Sequence, residues 1–225
     1  MSTNDQTPAT NHPDDRSSGA PAPAAEQHRP PGALDAAEHR ALVADAAAFA
    51  VLAHGDQQRK TGGPYSAHLF EAASLLLVDG ARAEVVAAAL LHDTVEDTAV
   101  TIHEVTERFG ADVASIVAGC SKHRDEPQQS WRERKEAHLA ALRDTGDGRV
   151  LWVTAADKLS NVNSLLNHID ANGPDATWSL FGGSRDGSLW YYGAMSERVS
   201  ARLEHSRLPA RLAAAIERLN DRSGA

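Results

Sequence analysis

The chain has one cysteine, Cys120, so it can form no internal disulfide, and no cluster of thiols offers a zinc–thiolate site. No run of about 18 apolar residues occurs, which excludes a spanning helix of the ordinary kind. The opening residues, MSTNDQTPATNHPDDR, contain no apolar h-region and do not read as a secretory signal. Basic charge is scarce as well: 22 Lys and Arg stand against 31 Asp and Glu, for a formal net charge of -9. A duplex-binding protein usually carries a basic face, so nucleic acid is not an expected partner. Neither a GxSxG elbow nor a paired Cys and His is present, so a serine or cysteine nucleophile is not supported. These absences leave a cytoplasmic protein without membrane attachment as the expectation.

What is present suits one globular domain with a sizeable core, or at most two small ones: 225 residues, 42% hydrophobic and 24% charged. Residues 1–36 stand apart, with six of the ten prolines, no aromatic residue, and only Met1 and Leu34 as large apolar side chains. Such a segment buries too little surface to offset the entropy of ordering, so it reads as a disordered Pro/Ala-rich tail. The folded domain is expected over 37–225.

From Asp35 onward the pattern is helical almost throughout. The stretch AAEHRALVADAAAFAVLAHGDQQ places apolar residues at helical spacing and ends where Gly62, Gly63 and Pro64 forbid continuation. A helix is predicted from Tyr65 to Val78, stopping at Asp79-Gly80. ARAEVVAAALLHDTVED is apolar on nearly every face and reads as a central buried helix. Thr101 is a plausible N-cap, with Glu104 completing a capping box, and Gly110 separates two helical lengths. SWRERKEAHLAALRD and VLWVTAADKLSNVNSLLNHI follow, then a long Gly-rich interruption, then a pair of helices split by Pro209. The fold class is all-α, with no internal repeat.

The chemistry concentrates in His92-Asp93-Thr-Val-Glu96-Asp97, where four ionisable side chains follow a buried apolar run. Uncompensated, such a group is costly. On a helix, His92 and Glu96 share a face, as do Asp93 and Asp97. The His-Asp pair can turn a nitrogen and an oxygen toward one metal, with the later acids in range to manage protons on a water. A solvated helix end with ordinary capping charges is the bland alternative. His68 and Asp157 each sit on a separate apolar helical run, where each alone would be a satisfied core group. Together these four match a mixed nitrogen and oxygen site of the kind that manganese, iron or magnesium-like ions favour.

The order Arg59-Lys60, Pro64-Tyr65-Ser-Ala-His68, His92-Asp93-Thr-Val-Glu96-Asp97 and Asp157-Lys-Leu-Ser-Asn161 resembles the HD-domain metal-dependent phosphohydrolases. Within them it is most similar to the hydrolase domain of the RelA/SpoT family and the stand-alone small alarmone hydrolases. The resemblance covers roughly residues 37–205 and implies an all-α bundle of about eight to ten helices. It implies one Mn2+ on His68, His92, Asp93 and Asp157. Glu96 and Asp97 would orient and deprotonate water or hydrogen-bond at phosphorus. Arg59 would stack on a purine, Lys60 would meet phosphate, Asn161 would bond the ribose or phosphate region, and Tyr191 would line the nucleoside pocket. The substrate implied is guanosine tetra- or pentaphosphate, the alarmone of the stringent response, with loss of the 3′-pyrophosphate.

Two family positions differ: Leu69 replaces a frequent proline and Thr154 a frequent lysine. These positions and the Gly-rich loop near Phe181 are where substrate choice would change. The alternatives are a phosphatase of a nucleoside 5′-monophosphate or of a dinucleotide cofactor such as NADPH, and a silent nucleotide-binding regulator. No synthetase domain follows the hydrolase segment, which argues for hydrolysis alone. The basic turn Ser130-Trp131-Arg-Glu-Arg134-Lys135 could meet phosphate or be a solvated face. His54, His103, His123 and His138 are expected at exposed, structural positions, and Cys120 as a small buried residue. Trp190, Tyr191 and Tyr192 fit core or pocket wall equally.

Overall fold

The computed structural model describes Met1 and residues 36–121, 130–181 and 183–224. The expected tail lies outside these residues except for Met1 and Ala36, and so does His123. Among the described residues the architecture is helical: α1 (Ala36–His54), α2 (Tyr65–Val78), α3 (Ala83–Leu91), α4 (Thr94–Asp97), α5 (Ile102–Cys120), α6 (Trp131–Asp144), α7 (Gly148–Asn172), α8 (Pro174–Trp178), α9 (Arg185–Ser200) and α10 (Leu208–Arg222). One antiparallel bridge, Gln58 with Pro64, closes the turn between α1 and α2.

α3 is the centre. Every residue of it except Glu84 is buried, and α1, α2, α5 and α7 pack around it. Its run Ala87-Ala88-Ala89 removes side-chain bulk, which lets four neighbouring helices approach one short helix. The long α7 contacts α2, α3 and α5 and also carries α8, α9 and α10, so it joins the two halves of the bundle. α10 is amphipathic, with Leu208, Leu212, Ala215, Ile216 and Leu219 buried along one stripe.

Local signals account for several boundaries. Thr101 accepts from the Glu104 N–H while Glu104 returns a bond to the Thr101 N–H, so the predicted capping box opens α5. Gly110 leaves helical geometry at φ 85° and kinks that helix, a backbone state that favours glycine. A second capping box, Ser130 with Glu133, opens α6. Three readings are corrected. Pro209 lies in the first turn of α10 rather than between helices, where its missing N–H costs nothing. The long Gly-rich interruption contains α8, which begins on Pro174. The central helix ends at Leu91, and a turn at His92 and Asp93 precedes the four-residue α4. The Ala89 carbonyl, which a continuing helix would offer to the Asp93 N–H, takes a hydrogen bond from His92 Nδ1 at 2.7 Å.

Candidate metal centre and cleft

α2, α3 and α7 bring His68, His92 and Asp157 to one point in the core, where one ligand atom of each lies within 4.8 Å of the others. The two histidines are each 3% exposed and Asp157 is 8% exposed. His68 Nε2 is 3.4 Å from Asp157 Oδ1 and 3.7 Å from Asp93 Oδ2; His92 Nε2 is 3.8 and 3.1 Å from the same atoms. Donors held at about 2.1 Å from a common ion sit roughly 3–3.5 Å apart, so this spacing suits a metal. Both Nε2 atoms are buried without a hydrogen-bond partner. Buried polar atoms are rarely left unpaired, and a divalent cation among two imidazoles and two carboxylates would satisfy both. The residues therefore fit the ion that the sequence implies.

The surroundings aim these ligands. The Tyr65 hydroxyl donates to Asp93 Oδ2 at 2.5 Å. Burial and the neighbouring Asp93 carboxylate push the Tyr65 hydroxyl pKa far up, so it remains a donor at any physiological pH. Asp157 Oδ2 pairs with Lys158 Nζ at 2.5 Å, and Asp157 Oδ1 accepts from Asn161 Nδ2. Burial disfavours charge on this pair, yet Lys158 holds the Asp157 carboxyl well below its ordinary range, and Asp157 holds the Lys158 ammonium well above its own. Burial likewise opposes a charged His92, but Asp93 and Asp157 raise that imidazole well above its usual value.

Above this point opens a cleft of about 480 Å³, walled by Arg59, Lys60, Glu96, Asp97, Asn161 and Tyr191 among others. All ten residues singled out from the sequence line it or lie directly beneath it. Glu96 is partly buried and Asp97 exposed, with Asp97 Oδ2 accepting from Gln57 Nε2 at 3.1 Å. Arg59 donates to Asn161 Oδ1 at 2.7 Å, and its guanidinium lies 5.5 Å from the Tyr65 ring centroid. Lys60 Nζ is 5.6 Å from the Phe181 centroid. Tyr191 is both core and wall: it is 3% exposed and its hydroxyl bonds His138 Nδ1 at 2.7 Å.

Sequence reasoning gave no role to Lys158, although a lysine inside VTAADKL has no solvent side to reach. It left Trp131, Arg134 and Lys135 open, and the first turns of α6 carry all three into the cleft wall. Trp131 fits there because Gly183 is a glycine: a Cβ at that position would lie 2.6 Å from the indole. Of the three places expected to alter substrate choice, only the loop near Phe181 and Gly183 reaches the cleft. Leu69 and Thr154 are buried, 1% and 4% exposed, and neither lines it. His54 is also buried rather than exposed, stacked on Tyr65 with ring centroids 4.8 Å apart, and His138 is partly buried. His103 is exposed as expected, whereas Cys120 is only partly buried, its thiol pKa pushed up by burial.

The model of the HD domain family matches residues 46–179. The guanosine-3′,5′-bis(diphosphate) 3′-pyrophosphohydrolase of Aquifex aeolicus is 38% identical over 133 residues, 57% of this chain and 18% of that protein. A probable enzyme of the same name from Synechocystis is 36% identical over 126 residues, 55% of this chain and 17% of that one. The chain thus spans less than a fifth of the length of these curated relatives. A solved protein from Listeria monocytogenes EGD-e is 30% identical with a TM-score of 0.60, over 68% of this chain and 99% of that one. A solved metazoan ortholog of SpoT, described as hydrolysing ppGpp, is 25% identical with a TM-score of 0.64 over 79% of this chain and 95% of that one.

Proposed function

Because the chain belongs to the HD-domain family, we propose that it is a metal-dependent nucleotide phosphohydrolase that removes the 3′-pyrophosphate of guanosine tetra- or pentaphosphate. The observation that carries this reading is the pair of buried, unpartnered Nε2 atoms of His68 and His92 facing two carboxylates at the floor of a cleft. Its relatives' names supply the substrate.

In this reading His68, His92, Asp93 and Asp157 hold one Mn2+, which when bound polarises a phosphoryl oxygen and lowers the pKa of a water. Tyr65 fixes Asp93 through one oxygen, and Lys158 and Asn161 fix Asp157 through both. One of Glu96 and Asp97 takes the proton from the attacking water as its oxygen bonds phosphorus; the P–O3′ bond breaks, the proton is passed to the ribose 3′-oxygen, and pyrophosphate separates from guanosine di- or triphosphate. Arg59, Lys60, Arg134 and Lys135 neutralise the phosphates, which an acidic protein can hold only through a local cation cluster. Tyr191, Trp131 and Phe181 wall the nucleoside. The compartment proposed is the cytoplasm; no helix among the described residues is long and apolar enough to cross a membrane.

The deciding assay is product analysis of the purified protein with manganese on guanosine tetraphosphate, nucleoside monophosphates and NADPH. Pyrophosphate appearing with guanosine diphosphate, and lost on Asp157→Ala, is the expected result. Orthophosphate released from another nucleotide would overturn the substrate and keep the site.

A further inference from the structure

The two ring nitrogens of His68 look in opposite directions. Nε2 faces Asp157 and Asp93 at the cleft floor. Nδ1 meets Ser160 Oγ at 2.8 Å in a buried contact. Ser160 Oγ in turn donates to Glu71 Oε2 at 2.7 Å, and Asn163 Nδ2 donates to Glu71 Oε1 at 2.8 Å. Helix geometry produces this line: Glu71 follows His68 by one turn on α2, and Asn163 follows Ser160 by one turn on α7, so the pairs meet where the two helices pack. None of Glu71, Ser160 and Asn163 lines the cleft. Glu71 and Asn163 open instead onto a separate groove of about 320 Å³ bordered by Arg218 and Arg222 of α10.

We propose that Glu71 and Ser160 are positioning residues that hold His68 as the Nδ1–H tautomer, so that Nε2 presents a lone pair to the site. The inference rests on the reading of His68 as a metal ligand. A carboxylate only accepts hydrogen bonds, and a serine hydroxyl has a single proton. Glu71 takes that proton, so Ser160 can offer His68 only an acceptor. The proton of a neutral His68 ring must then sit on Nδ1. Asn163 steadies the carboxylate by occupying its second oxygen. Without the Glu71 charge the Ser160 proton is free to turn toward Nδ1, which favours the Nε2–H form, and that form has nothing to give a cation. At His92 the same assignment comes from the Ala89 carbonyl.

The test begins with metal-free protein and long-range 1H–15N spectra of the His68 ring, recorded in mildly alkaline buffer. The wild type is expected to show Nδ1–H, and Glu71→Gln and Ser160→Ala to move the ring toward Nε2–H. Glu71→Gln is nearly isosteric at a partly exposed position, so its fold is retained even if Ser160→Ala is unstable. Titration with Mn2+ alone should show binding weakened about 10–100-fold in either variant. The double variant should be no weaker than Ser160→Ala, and Ser160→Thr should restore affinity because it keeps the hydroxyl. An unshifted tautomer together with unchanged Mn2+ affinity in both single variants overturns the relay. A wild type that shows Nδ1–H yet binds no Mn2+ would sink the metal reading and leave the relay standing.

Discussion

The floor of the cleft and its rim are built by opposite means. On the floor, His68, His92 and Asp157 come from three helices that pack directly on one another, and each is at most 8% exposed. Their partners are a serine, a backbone carbonyl, a buried lysine and an asparagine amide, and Asp93 beside them takes the Tyr65 hydroxyl. At the rim, Arg59, Lys60, Arg134 and Lys135 sit on a turn and on the first turns of α6, and the ring contacts of Arg59, Lys60 and Lys135 are cation–π approaches of 4.5–5.8 Å. Contacts of that kind are worth about 0.5–1 kcal/mol where water reaches them. The floor is thus held by buried partners, whereas Lys60 and Arg134 at the rim are exposed, and Arg59 ties rim to floor through its hydrogen bond to Asn161. In the proposed function, metal chemistry falls to the packed helices and phosphate recognition to the cations nearer solvent.

The sharpest way to break that contrast is Asp157→Ala. It should lower pyrophosphate release by on the order of 10³-fold or more, because several kcal/mol of transition-state stabilisation depends on the site it completes. It should also destabilise the fold by about 3–5 kcal/mol, since Lys158 is left buried without its carboxylate. The double variant Asp157→Asn/Lys158→Met should recover the melting temperature while activity stays lost, which separates packing from chemistry. Glu96→Gln and Asp97→Asn, further from the core, should each cost on the order of 10²-fold in kcat. Their Mn2+ affinity, followed by calorimetry, should stay near that of the wild type.

At the rim, Lys60→Ala or Arg134→Ala should raise KM by roughly tenfold and leave kcat nearly unchanged, the mark of charge-assisted bonds lost equally from ground and transition states. An equal loss in kcat would place these residues with the floor. Acid should act on the floor. His92 has a raised pKa in the metal-free protein, so below that pKa an entering ion must displace a proton. Mn2+ affinity should therefore rise with pH, by up to about tenfold per unit, until the medium passes the His92 pKa and then level off. A flat profile from about pH 6 to 9 would show that no such proton is displaced. The smallest effect expected is from Ser130→Ala, which removes the cap of α6 at a cost of about 1 kcal/mol. The melting temperature should fall by about 2–4 °C, with KM rising slightly as Arg134 and Lys135 lose their firm base.

The same division governs what the sequence makes legible. The bounds of α2, the capping box of Thr101 and Glu104, and the break at Gly110 all appear as expected, because each depends on residues within one or two turns. The four proposed ligands are recognisable because acids and histidines on apolar helices are out of place. Tyr65 on Asp93 and Ser160 between His68 and Glu71 were not legible, since each pair has meaning only after α2, α3 and α7 have met; Lys158 beside Asp157, within one helix, left a signal in its apolar surroundings. Burial of His54 was hidden for the same reason: its covering partner, Tyr65, belongs to the next helix. The turn at His92 carries no glycine or proline to announce it, and arises from a side chain that competes for a main-chain acceptor.

That competition has an evolutionary side. The hydrogen bond that orients His92 ends on the carbonyl of Ala89, and no codon change at position 89 removes a carbonyl. The bond that orients His68 runs through two side chains, each a few nucleotide changes from something else. One histidine therefore inherits its orientation from the backbone and is shielded from drift, while the other can be retuned by selection without a substitution in the cleft.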